Sequence, residues 1–304
     1  MMKEYIRELT TTDLPLLKSM DTGIIDDYVI QVFERLSTDQ NRIYGLFVDE
    51  QLVSIAGYSI FAHQYVMLGR LRSDRRYRGK NYATKIMKYI RDIAFQLPNI
   101  TWVGGNTQEN NLAARRVLTN IGLIEQEKLY PAITEEIDMF IQENKRWHLI
   151  EKSNDKANLL KDTYIHDKRV FPFECYYPFP ATNSLFTHSN IDNWNVYETH
   201  QHDYPLVTKK DVKKDILLHV IFPFSDVFTQ SGLWETVYDD YYKLKSIHPD
   251  QKVYIWLDIP EYHIHHLPPN HPFSIDSPWI LHGMSIDNWN QLNKHSLLEY
   301  NHKT

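Results

Sequence analysis

Cysteine occurs once in the 304 residues, at Cys175. A single thiol excludes an internal disulfide and a cysteine-based zinc site, and its aromatic and proline neighbours suggest an inert packed side chain. Long apolar runs are missing as well. None reaches the ~18 residues of a membrane span, and Met1, Met2, Lys3, Glu4 and Tyr5 lack the apolar core of a secretory signal. A cytoplasmic protein with no membrane partner is expected. Net positive charge is absent, the balance being −6, so no nucleic-acid partner is expected. Glycine is scarce at ten residues, which makes each one in a motif informative.

What is present is ample core material. Apolar residues make up 42% of the chain and aromatics 13%, and the length suits two domains of about 150 residues. Tyr5–Leu9 reads as a strand, and Thr10–Asp13 as a helix start ahead of Leu14, Leu16 and Leu17. Arg42–Val48 and Leu52–Ile60 read as a hairpin, and Tyr65–Arg72 as a further strand. Ser73–Asn81 is a polar, basic loop. Ala83, Ile86, Ile90, Ile93, Ala94 and Leu97 then recur at helical spacing and Pro98 closes that helix. A short strand at Ile100–Val103 and a second helix ending at Gly122 complete a mixed α/β pattern. The charged segment Glu125–Lys145 ends a first domain over 1–145, leaving 146–304 as a second α/β domain.

Positive charge is concentrated. Between Arg70 and Arg91 there are nine Lys/Arg residues and one acid, Asp74. Inside that stretch, Arg78-Gly79-Lys80-Asn81-Tyr82-Ala83-Thr84 joins a strand to an amphipathic helix. The first amides of a helix lack intrahelical partners, and with the helix dipole they form an anion site. Gly79 and Ala83 allow close backbone approach, and Asn81 tolerates the left-handed conformation. Arg78 and Lys80 add charge, and Thr84 adds a hydroxyl. The spacing is neither that of a P-loop nor of a three-glycine dinucleotide fingerprint.

These residues resemble the cofactor signature of the GNAT superfamily of acyl-CoA N-acyltransferases, Arg/Gln-x-x-Gly-x-Gly/Ala, with Asn81 in place of the first glycine. A second family element resembles Asn111, Ala114, Gly122 and Leu123, and the likeness covers about residues 3–145. It implies a GNAT fold with splayed central strands and acetyl-CoA or CoA as acyl-donor substrate, with no metal. The partners are then acyl-CoA and a primary amine of a small molecule or peptide. The family's pattern places the main chain of Leu71 and Ser73 along the pantetheine arm and Arg78, Gly79, Lys80, Asn81, Tyr82, Ala83 and Thr84 at the pyrophosphate. Asn111 then faces the cofactor near its thioester, with Ala114 and Arg115 along the arm. The family often has a tyrosine four residues before the motif's glycine as acid for the departing thiolate. Leu118 stands there instead. Replacement candidates are Tyr130 as acid and Glu109 as base, each also readable as a plain packing or surface residue.

The second half echoes the first. Trp147–Glu151 and a helix from Ser153 carrying Leu159 and Leu160 are followed by a strand at Ile216–Phe222. A helix with Leu233, Trp234, Val237, Tyr238, Tyr241 and Leu244 then stops at His248-Pro249, before a strand at Val253–Leu257. A degenerate GNAT-like copy and an unrelated α/β domain both fit this order. Its loop Pro223–Gly232 has no Lys or Arg, so CoA binding is not expected there. The repeated Ile-Asp-Asn-Trp-Asn at Ile191–Asn195 and Ile286–Asn290 reads as two Asp-capped turns. His200, His202, His263, His265 and His266 read as solvated loop residues. A non-catalytic CoA-binding regulatory module is the competing reading to an N-acetyltransferase, favoured by Leu118 and Asn81.

Overall fold

A computed structural model describes residues 3–202 and 204–301. The chain divides into two compact units, one formed by residues up to Gln126 together with those from Leu281 onward, the other by Glu127–Ile280. Residue 145, the boundary expected from sequence, falls inside the second unit, and the end of the chain returns to the first.

The first unit opens with β1 (Glu4–Glu8), α1 (Leu14–Lys18), α2 (Tyr28–Gln31) and α3 (Phe33–Leu36). It continues through β2 (Asn41–Val48), β3 (Gln51–Phe61), β4 (Tyr65–Ser73), α4 (Tyr82–Gln96), β5 (Trp102–Gln108) and α5 (Leu112–Asn120). β1 to β4 are antiparallel neighbours in sequence order and β5 joins β4 in parallel. Asp49 and Glu50 turn β2 into β3 with φ of 45° and 65°, the doubly left-handed geometry whose twist matches a hairpin. α4 buries Ile86, Met87, Ile90, Ala94 and Phe95 against the sheet. It stops where Leu97, extended ahead of Pro98, cannot stay helical.

One irregularity positions the site. The parallel register of β4 with β5 runs from Tyr65↔Trp102 to Leu68↔Gly105. Just beyond, Arg70 takes φ 59°, and the β3–β4 ladder shifts register between Ile55 and Gly57. The bulge bends β4 out of the pleat, so the strand ends Gly69–Ser73 and Asn106–Gln108 part. These are the splayed central strands expected from sequence.

The second unit contains most of β6 (Ile124–Thr134), then β7 (His148–Leu149), α6 (Ser153–Tyr164), β8 (Val170–Glu174), β9 (Tyr177–Pro180) and α7 (His188–Ile191). β10 (Asn195–Glu198), β11 (Pro205–Val212), β12 (Ile216–Ile221), α8 (Leu233–Ile247), β13 (Val253–Pro260) and β14 (Ser274–Ile275) follow. Its strand order, β7-β10-β11-β12-β13, repeats that of β1 to β5, with three antiparallel neighbours and then a parallel pair. Leu129–Thr134 of β6 pair antiparallel with β13. α4 and α8 each have 15 residues, and each follows a left-handed cap, Asn81 at φ 61° and Gly232 at φ 80°. Agreement in strand direction, helix length and cap conformation fits a duplicated unit better than chance order.

Two segments differ from expectation. Residues 124–134 form a strand where a charged domain end was expected, because Leu129, Ala132 and Thr134 are buried among the charges. β15 (Trp279–Ser285) and α9 (Ile286–Asn301) close the chain. Leu281–Ser285 lie in the first unit beside β5, and the Ile286 amide donates to the Thr101 carbonyl at 2.8 Å. The second Ile-Asp-Asn-Trp-Asn copy therefore opens a helix, while the first leads from α7 towards β10.

Candidate functional site

A groove of about 300 Å³ in the first unit lies where the loop after β4 enters α4. Ser73, Arg78, Gly79, Asn81, Tyr82, Ala83 and Thr84 line it, together with Val53 and Tyr77 and, from α5, Arg116, Val117 and Asn120. Seven of the twelve cofactor-contact positions expected from sequence are thus gathered in one place.

The loop is built from its buried anchor upwards. Asp74 is fully buried at the end of β4. It accepts hydrogen bonds from the Arg76 guanidinium, the Arg76 amide at 2.9 Å and the Asp21 amide at 3.1 Å. The Arg76 guanidinium holds the carboxyl down at about 2 against the opposing effect of burial, and the two amides help. From this anchor the chain passes Tyr77 and Arg78 and reverses through Gly79, at φ 79°, and Asn81, at φ 61°. Nothing stands within 4 Å of where a side chain would start at Gly79, so it is the backbone conformation that demands glycine there. Asparagine can occupy the second left-handed position because it is among the residues that tolerate it.

This path leaves the amides of Gly79 to Thr84 donating to no group among the described residues, and the next amide, Lys85, closes the first helical turn on the Asn81 carbonyl at 3.0 Å. Free amides converging at the start of a 15-residue helix form a site for anionic oxygen.

The surrounding basic cluster resolves into two classes. Arg72 pairs with Asp27, Arg75 with Asp21, Arg76 with Asp74, Lys85 with Glu4 and Arg91 with Asp92. These are structural. Arg78, Lys80 and Arg116 have no ion-pair partner among the described residues, and two of them line the groove. Lys80 lies outside the lining, its ammonium 5.5 Å from the centre of the Tyr77 ring. Arg116 is absent from the sequence expectation. The available signal is its spacing, since Arg116, Val117 and Asn120 share one face of α5.

The other expected positions serve different contacts. Leu71 packs against the unit's core in the parted segment of β4, and its carbonyl accepts from Arg72 at 3.0 Å. Asn111 caps α5 by accepting from the Ala114 amide at 3.2 Å. Arg115 donates to the Glu109 carbonyl at 3.1 Å and to Glu125 at 2.8 Å. Glu109 lies between β5 and α5. Tyr130 belongs to the second unit, half-buried against its core and paired with Ile259. Leu118 is buried under β5, against Gly105, so the position where the family often places its acid faces the core.

In the second unit the matching helix start is filled by the chain itself. The Trp147 amide donates to Thr236 at 2.9 Å and its indole to the Ser231 carbonyl at 3.0 Å. The amides of Gln142 and Glu143 donate to the buried Glu235. Of the expected loop histidines, His202 meets Glu198 at 2.6 Å, while His263, His265 and His266 share one turn with the His265 and His266 ring centres 4.0 Å apart.

Strand order, splay and the amide-lined groove define the GNAT class of acyltransferase fold. Residues 4–123 match the model of the acetyltransferase (GNAT) family, whose members use an acyl-CoA donor. Solved structures agree over nearly the whole chain. A GCN5-related N-acetyltransferase from Sphaerobacter thermophilus is 10% identical with a TM-score of 0.55, covering 93% of this chain and 96% of its own. A candidate acetyltransferase from Thermoplasma acidophilum is 16% identical with a TM-score of 0.52, covering 92% and 99%. At such identities the likeness shows the fold. Curated proteins compared with the chain give no match. Among the described residues, no helix is long and apolar enough to cross a membrane.

Proposed function

We propose that the first unit transfers an acyl group, acetyl in the simplest case, from acyl-CoA to a primary amine. The observation that carries this reading is the run of unpartnered amides from Gly79 to Thr84, facing a groove that also holds Arg78 and Arg116. The amides and the dipole of α4 take the pyrophosphate and the two guanidinium groups take further phosphate charge. Leu71, Ser73, Asn111, Ala114 and Arg115 follow the family's pattern along the pantetheine arm, with the thioester at the parted ends of β4 and β5.

The chemistry asked of side chains is small. The amine nitrogen attacks the thioester carbonyl, the carbon–sulfur bond breaks, and the CoA thiolate leaves as a tolerable leaving group near neutral pH. Glu109 is the proposed acceptor for the amine proton. Leu118 offers no proton, so rate rests mainly on holding amine and thioester together. Tyr130, as a donor to the thiolate, is the weaker assignment because it packs with the second core.

The second unit is proposed not to bind CoA, since Gln142–Trp147 fill its helix start. Calorimetric titration with acetyl-CoA and thiol release over a broad amine panel test the whole reading. One site per chain with turnover is expected. Two equivalent sites overturn the role given to the second unit, and no binding overturns the proposal. Binding without turnover over the panel favours a regulatory CoA-binding module, the reading that the buried Leu118 supports.

A further inference from the structure

The two faces of the second unit's sheet are unlike each other. The face packed on α8 is apolar, with Ile216, Leu218, Val220, Val253, Ile255 and Leu257. By strand alternation, the opposite face carries Lys209 and Asp211 on β11, His219 on β12 and Trp256 and Asp258 on β13. The turn of the β8–β9 hairpin covers it with Cys175 and Tyr176. Burying this many polar groups on a sheet face is costly unless they are matched.

They are matched except at two atoms, the indole nitrogen of Trp256 and one ring nitrogen of His219. His219 is fully buried, and its Nε2 meets Asp258 at 2.8 Å. Its Nδ1 has no hydrogen-bond partner. Cys175 is fully buried and Asp211 is 9% exposed. One ligand atom each from Cys175, Asp211 and His219 lies within 4.8 Å of the other two.

We propose that Cys175, Asp211 and His219 bind a divalent transition-metal ion of the zinc class. Asp258 orients the imidazole by accepting from Nε2, the carboxylate–histidine–metal arrangement that fixes the tautomer and leaves Nδ1 free to ligate. Tetrahedral ligands at about 2.0–2.3 Å from zinc stand roughly 3.3–3.8 Å apart, so closing the shell takes side-chain shifts of about 1 Å. Asp211 accepts from the Cys175 amide at 2.8 Å, which ties the hairpin to the sheet before any ion arrives. Asp211, unlike the fully buried Cys175 and His219, also lines an open cavity of about 360 Å³, the side from which an ion would arrive. Binding releases the thiol proton. The thiolate and the Asp211 carboxylate then offset the 2+ charge, and Lys213, which pairs with both Glu174 at 2.8 Å and Asp211 at 3.1 Å, gives up Asp211 to the ion and keeps Glu174.

A single cysteine excludes a many-cysteine centre but permits this mixed one. The probe is Co²⁺, then Zn²⁺, added to the full chain after chelator treatment. A thiolate-to-cobalt charge-transfer band is expected at one ion per chain, displaced by zinc. Cys175→Ser is expected to abolish the band and weaken zinc at least ~100-fold, and Asp258→Asn to weaken it about 10–100-fold. The triple variant H263A/H265A/H266A keeps the band. Absence of the band in the unaltered chain overturns the proposal, a result that needs no folded variant. Undiminished zinc affinity in Cys175→Ser, or loss of the band in the triple variant, overturns it as well.

Discussion

The indole N–H of Trp289 donates to the carboxylate of Asp92 at 3.0 Å, joining residues 197 apart in sequence. The same indole stacks on Phe95, with ring centres 5.2 Å apart. Asp92 also accepts from the buried Arg91 at 2.8 Å, so α9 is fastened to the outer side of α4, the helix whose other end frames the groove. Trp289→Ala removes an aromatic pair and a charged hydrogen bond. A loss of roughly 2 kcal/mol is expected, read as a lower melting temperature. Unchanged stability would mean that α9 is not docked in solution.

The division of the basic cluster predicts unequal effects. Arg78→Ala and Arg116→Ala each remove an unpaired guanidinium from the groove, and each is expected to weaken CoA about tenfold, since a charge-assisted hydrogen bond contributes ~1.5 kcal/mol or more. Arg75→Ala breaks an exposed pair with Asp21 and is expected to change affinity less than about twofold. Titration with CoA compares the three, and equal losses would contradict the division.

Asp74 makes the groove acid-sensitive. Its folded-state carboxyl is held at about 2, below the roughly 3.9 of an unfolded aspartate. A depressed value means that its stabilisation is full above the unfolded value and is lost as pH falls through 4 towards 2. Asp74→Asn is expected to cost about 2 kcal/mol near pH 7. The difference from the parent should shrink across that window, measured by denaturant unfolding at several pH values. A pH-independent difference would refute the assignment.

Restoring the family's tyrosine is expected to fail. A side chain started at Gly105 would already stand 2.7 Å from Leu118, so position 118 is packed tightly under β5. Leu118→Tyr should cost ~1–3 kcal/mol by overpacking and leave thiol release no faster. Faster turnover with unchanged stability would show that this position reaches the thioester.

The sequence by itself determined the anion loop and its helix. Arg78 to Thr84 sit at a change of period from strand to helix, and unsatisfied amides at a helix start are a local consequence of that change. The hairpin at Asp49–Glu50, the stop at Pro98 and the echo of the first half in the second are equally local. Tertiary structure alone decided which of nine basic residues stay free, because Asp21, Asp27 and Glu4 reach that stretch only through folding. It also decided where the units divide. Charged residues mask β6 as a domain end, since only one face of a strand need be apolar, and the return of β15 to the first sheet leaves no mark in its own residues. Cys175, Asp211, His219 and Asp258 meet for the same reason. Their spacing carries no motif; strand pairing brings Asp211, His219 and Asp258 to one face, and the β8–β9 hairpin packs Cys175 over it.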